Sequence, residues 1–296
     1  MSYQINTNSP TQQIYLNTTN CVSRSPYTFQ LATRVKAPIS QKMLLSLNEF
    51  TMPHTMSNVN QYNNKISFLI NNLTKYAIVI PVGIYSVISF RNFLNNQLLI
   101  LGLNVVCVYN HNTFKLSFVS NSPVSIINEE DYETTCGRLI GVNKNKNNEY
   151  EYPVLGNSTP TYTISFATPI DFIGTPFFFL KISEIHTDNI NSIGGQNNTF
   201  ARISVNAPFG NVIFYRPSTV VKFLLNQTSL NSLTVSLEDE FQRPLDIGDA
   251  EIQAVLSVQF VYPQKDVDQD AGTIPHFFKQ LEIKDKRQED DKEFGL

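Results

Sequence analysis

Apolar and polar residues alternate along most of this chain. A period of two sets one face of a strand on a core and leaves the other partly wet. Residues 43–50 form one such run. Ile66, Phe68 and Ile70 alternate in the next, and Tyr76, Ile78 and Ile80 in the one after. Asn71-Asn72 reads as the turn between them, and Pro81 ends the second. Further strands are read at 105–109, 161–166, 176–185 and 212–215, with alternation at Phe114, Leu116 and Phe118, at Ala201, Ile203 and Val205, and at Leu233, Val235 and Leu237. From Ile252 through Ala254, Leu256, Val258 and Phe260 to Tyr262 one face is kept for eleven residues, the pattern of a central core strand.

One segment changes period. Val87, Phe90, Leu94 and Leu98 form a helical stripe, widened by Phe93, with Ser86 placed as N-cap. The tally is eight to eleven strands and one helix. Alternation of strand and helix is missing, which excludes a doubly wound fold, and no fixed repeat suggests a propeller or solenoid. The reading is all-β: a single jelly-roll β-sandwich with one short amphipathic helix. Residues 1–40 form an extended arm and edge strands, 41–262 the jelly-roll domain with long loops near 120–160 and 186–200, and 263–296 a charged tail.

Composition sharpens this picture. Charged residues make up only 16% of the 296, so amide and hydroxyl side chains must cover the surface. Low self-repulsion suits a protein packed against neighbours. The net charge of −3 offers no positive field. Arg24, Arg34, Lys36, Lys42 and Arg91 are scattered, leaving at most a weak contact with a genome or an inner layer. No membrane anchor is expected, since no apolar run approaches the ~20 residues that span a bilayer. The opening Met1-Ser-Tyr-Gln-Ile-Asn carries no signal-peptide pattern. Cys21, Cys107 and Cys136 are widely spaced, without a disulfide framework, and Cys107 reads as a buried strand thiol.

Catalytic chemistry finds little footing. Phosphate-loop glycines, a nucleophile elbow and clustered metal-ligating histidines are all missing. His54, His111, His186 and His276 lie far apart. Glu184 and His186 share a face only if 178–186 is one strand, and read more simply as a polar strand end. The acidic runs Glu129-Glu-Asp131 and Glu238-Asp-Glu240 read as solvated turns or as salt-bridge partners between subunits of a lattice, although a facing carboxylate pair is what a glycosidase needs. We therefore expect no enzyme activity, no catalytic or metal-ligating residues and no cofactor.

Several segments, taken in order, resemble the minor capsid (penton) proteins of virophages and related polinton-like viruses. They are residues 80–98, Cys136-Gly-Arg-Leu-Ile-Gly-Val142, residues 178–187, Ala201-Arg-Ile-Ser-Val-Asn-Ala-Pro-Phe-Gly-Asn-Val-Ile-Phe-Tyr215, and Leu233-Thr-Val-Ser-Leu-Glu-Asp-Glu-Phe-Gln-Arg-Pro-Leu-Asp246. The resemblance spans roughly residues 40–262. It implies a structural minor capsid protein that forms homopentamers at the fivefold vertices of an icosahedral virion, assembled inside the host cell. It also implies a double-jelly-roll major capsid protein as partner. A cyclic ring needs two different side faces on each subunit. Candidate intersubunit contacts are Pro208, Phe209, Arg216, Pro217 and Arg243 at corners, and Phe277 and Phe278 in the tail. The alternative is another jelly-roll virion component, such as a receptor-binding or fibre-like module, or a non-viral carbohydrate-binding module.

Overall fold

The computed structural model describes residues 3–5, 11–24, 26–158, 161–186, 198–225 and 227–263. The chain opens with β1 (Tyr3–Ile5), β2 (Gln12–Asn17), β3 (Ser23–Arg24), β4 (Tyr27–Lys36) and β5 (Lys42–Pro53). A middle stretch follows: β6 (Lys65–Ile70), β7 (Thr74–Val79), α1 (Val87–Ile100), β8 (Val105–Asn110), β9 (Lys115–Ser120), β10 (Val124–Ile126), α2 (Gly137–Ile140), β11 (Val154–Leu155), β12 (Asn157–Ser158) and β13 (Tyr162–Ser165). The chain then returns through β14 (Phe177–Ile182), β15 (Ile185–His186), β16 (Thr199–Ser204), β17 (Val212–Tyr215), β18 (Lys222–Leu225), β19 (Ser229–Glu238) and β20 (Gln253–Pro263). The fold is all-β, every strand pair among the described residues is antiparallel, and no described helix is long and apolar enough to cross a membrane.

The first and third stretches build one sandwich. In one sheet β20 lies between β5 and the pair β1 and β2, while β17 and β18 share the other edge of β5. The opposing sheet runs β16-β14-β19-β4-β3. The pairings are nested. Taking β17 and β18 as one interrupted strand, the first long strand pairs with the last (β2 with β20) and the second with the seventh (β4 with β19). The third pairs with the sixth (β5 with β17 and β18), and the fourth with the fifth (β14 with β16). Met43, Leu45, Phe50 and Met52 of β5 meet Phe178 and Leu180 of β14 and Leu233 of β19 in one core. β20 is central as its pattern requires: Ala254, Leu256, Val258 and Phe260 are all buried. Only Tyr262 departs, being 45% exposed at the strand's end.

The middle stretch builds a second lobe with its own core, so residues 41–262 carry two cores where the alternation suggested one sandwich. Two four-stranded sheets, β11-β10-β6-β7 and β12-β13-β9-β8, close around α1. The helix follows its stripe, with Phe90, Leu94 and Leu98 fully buried. Ser86 caps it reciprocally: its Oγ accepts from Ser89 N–H at 3.1 Å, and Ser89 Oγ accepts from Ser86 N–H at 2.9 Å. Asn71 and Asn72 both turn into the left-handed region between β6 and β7. Phe114, expected to point inward with Leu116, sits instead in the β8–β9 turn with φ of 55° and is exposed. Its neighbours keep the alternation, with Leu116 and Phe118 buried. The stretch 120–160, expected to be irregular, supplies β10, β11, β12 and α2 to this lobe.

Candidate functional site

Two features at one end of the sandwich follow from the residues singled out above. The first is the corner between β16 and β17. Gly210 there has φ of 84°, which suits glycine, and Asn211 N–H donates to Pro208 O at 3.0 Å. His54, just past β5, clamps this turn. Its N–H donates to Asn211 O at 2.7 Å, its carbonyl accepts from Gly210 N–H at 2.9 Å, and its Nδ1–H donates to Ala207 O at 2.7 Å. The His54 ring meets Phe209 edge-on at 6.0 Å and holds it half exposed. Val212 and Phe214, on the outward face of β17, are also exposed, and Ile84 and Ile173 of the second lobe line a groove with Pro208 and Phe209. β17 pairs only with β5, which leaves its other edge open among the described residues. Arg216 is exposed and Pro217 half-buried just beyond.

The second feature is the seam between the lobes. Arg138, on α2, donates Nε–H to Asp171 Oδ2 at 2.6 Å and an Nη1–H to Glu240 Oε1 at 2.5 Å. Glu240 belongs to the β19–β20 bend, so the guanidinium ties the second lobe to the sandwich. Burial opposes the charge on Arg138, but the two carboxylates outweigh it and raise its pKa further. Arg243, one turn on, does not stand free at a corner. It donates to Asp239 Oδ2 from Nε at 2.8 Å, and its guanidinium lies 4.3 Å from the Tyr62 ring centroid and 4.6 Å from that of Phe241. Asn58 fixes the other side of the seam. Its Nδ2–H groups donate to Tyr85 O and Phe172 O, and its Oδ1 accepts from Tyr85 N–H.

These contacts revise the reading of the acidic bend. Glu238 pairs with Lys181 at 2.5 Å, Asp239 with Arg243 and Glu240 with Arg138, so all three carboxylates are tied within the chain rather than solvated. Glu129 pairs with Lys75. Glu184 and His186 do not share a strand: β14 ends at Ile182, β15 begins at Ile185 in the opposing sheet, and the Glu184 carboxylate accepts from Thr234 N–H at 3.0 Å. Among the described residues no three His, Cys, Asp or Glu side chains gather as a metal-holding group. Pro208, Phe209, Arg216 and Pro217 fall on the β16–β17 corner and its exit, whereas Arg243 belongs to the seam. Phe277 and Phe278 lie outside the described residues.

Sequence reasoning missed Arg138 and Asn58. The signal for Arg138 was present: a lone guanidinium between Gly137 and the buried pair Leu139 and Ile140 needs anionic partners. Asn58 carried no such signal among so many asparagines.

No protein-family model matches the chain, and no curated protein sequence does. Among solved structures, the crystal structure of selenomethionine-labelled mavirus penton protein is similar, with a TM-score of 0.45 and 12% identity, over 84% of this chain and 99% of that one.

Proposed function

We propose that this chain is a structural, non-enzymatic virion protein: a single jelly roll carrying a second lobe between its third and fourth strands. In this reading it assembles inside the host cell as a homopentamer at the fivefold vertices of an icosahedral capsid, beside a double-jelly-roll major capsid protein. The observation that carries the reading is the nested pairing of the sandwich. First with eighth, second with seventh, third with sixth and fourth with fifth is how a long hairpin rolls into two facing sheets. Fold alone does not assign function. The ordered sequence resemblance to penton proteins, the low charge density and the exposed Phe209, Val212 and Phe214 beside an open edge supply the rest.

The test is co-expression with the major capsid protein of the same virus, followed by electron microscopy and by native mass spectrometry of the purified chain. Shells with empty vertices in its absence and filled vertices in its presence support the reading. Complete vertices in its absence overturn it. Phe209→Glu with Phe214→Glu changes two exposed side chains, so it should leave the melting curve in place while lowering vertex occupancy.

A further inference from the structure

The seam between the lobes holds a half-open cavity of about 430 Å³, within the range of small-molecule sites. Both lobes line it, with Asn147 and Tyr150 from the second lobe and Glu240 and Phe241 from the sandwich bend. The charges of the lining cancel: Arg138, Lys144 and Arg243 stand against Asp171, Asp239 and Glu240. Both guanidiniums are already engaged by carboxylates, and the Lys144 ammonium lies 5.0 Å from the Tyr150 ring centroid. An anion therefore finds no unclaimed guanidinium, and a cation no net negative field.

What the cavity offers is neutral and polar. Asn147 and Asn148 bring amides, each a donor and an acceptor in one plane, while Asn60 Oδ1 and both ends of the Asn63 amide already hold backbone groups. Glu240 gives one oxygen to Arg138, while its Oε2 is buried without a hydrogen-bond partner. Such an orphan costs stability until a donor reaches it. Phe241 stacks on Arg243 yet stays 50% exposed. Ring surface, planar amides and a carboxylate oxygen lacking a donor match a ligand with an apolar C–H face and several hydroxyls.

We propose that this cavity binds a neutral sugar unit, a hexose or N-acetylhexosamine of a glycan. The sugar's C–H face lies against Phe241 and a hydroxyl donates to Glu240 Oε2. The proposal does not rest on the capsid reading, and either can fail alone.

Saturation-transfer NMR on the full chain tests it, with the methyl glycosides of mannose, galactose, glucose and N-acetylglucosamine as neutral probes. Glucose 6-phosphate and sialic acid serve as charged controls. Saturable binding of at least one neutral glycoside is expected, with the charged sugars weaker. Phe241→Ser should weaken it about tenfold or more, and Phe241→Tyr should retain it. Asn147→Trp, at an exposed position, should block the cavity without disturbing the fold, and so carries the test if Phe241→Ser melts early. No saturable binding of any neutral probe, equal binding of the charged sugars, or unchanged affinity in folded Asn147→Trp overturns the proposal.

Discussion

Arg138 is the side chain whose removal tells most about how the two lobes hold together. In Arg138→Ala, Asp171 loses its ion-pair partner and Glu240 loses its single hydrogen-bonded one while its other oxygen is already orphaned. Breaking a fully buried pair costs about 3–5 kcal/mol, whereas an exposed pair is worth about 0.2–1 kcal/mol. The Arg138 side chain is 35% exposed and that of Glu240 16%, so the expected cost lies between these limits, at about 2 kcal/mol. Arg138→Lys keeps the charge but cannot reach both carboxylates with a planar fork, and should recover less than half of that. The chain has no Trp, so urea unfolding is followed by circular dichroism. Two separate cores can unfold in separate transitions. Labelling of Cys107 and Cys136, both buried in the second lobe, therefore reports that lobe independently. A double-mutant cycle with Glu240→Ala should give a coupling of about 1 kcal/mol. A loss below about 0.5 kcal/mol in Arg138→Ala, or no coupling to Glu240, would refute the view that this guanidinium fastens the lobes.

Three further outcomes are expected. Gly141→Ala should cost more than about 3 kcal/mol, because φ is 86° and the added Cβ would lie 2.2 Å from the Thr168 carbonyl oxygen; a melting curve like the parent's would contradict this. Asn95→Ala should cost about 2 kcal/mol and speed hydrogen exchange at the Cys107 amide, since the Asn95 side chain accepts from Cys107 N–H at 2.7 Å and donates to Cys107 O at 3.0 Å. In the native protein a thiol reagent near neutral pH should label only Cys21, because burial pushes the Cys107 thiol up to about 12 and raises that of Cys136 as well. Below the ordinary thiol value of 9.0 both states hold the Cys107 proton, and between there and about 12 only the native state does. Stability should thus fall with rising pH across that window, by up to about 1.4 kcal/mol per unit for this thiol, and a flat profile would count against its burial.

The strands and α1 were legible because their signals are local. Period two at Leu233, Val235 and Leu237, the helical stripe Phe90, Leu94 and Leu98, and the Ser86 cap each need only neighbouring residues to be read, and all are in place. The second core was not legible, because a strand's alternation shows that it has a buried face without showing against what. Ile66 and Leu256 carry the same pattern and bury in different lobes. Phe114 failed for a related reason: extending an alternation by one residue crossed into a turn whose left-handed backbone turns the ring outward. The Cys136–Val142 motif was visible as a pattern, but its meaning is tertiary. Gly137 leaves room for Tyr150 and Tyr152, Arg138 reaches across the seam, and Gly141 passes against the Thr168 carbonyl.

Where the second lobe is inserted explains why so much converges on one end of the sandwich. β5 and β14 lie in opposing sheets, so the chain between them must cross the mouth of the sandwich. A lobe placed in that crossing lengthens a connection without interrupting any of the four nested pairings, at a closure cost that grows only slowly with length. It must then find its contacts on the other connections at that end. Those are the β16–β17 corner, held to His54, and the β19–β20 bend, held through Glu240 to Arg138. The segments 201–215 and 233–246, both part of the sequence resemblance, therefore reach into the two connections that meet the inserted lobe. One presents Phe209 and an open edge, and the other helps to line the cavity. Their glycine and proline corners are shaped by what meets them at this end as much as by the sandwich they close.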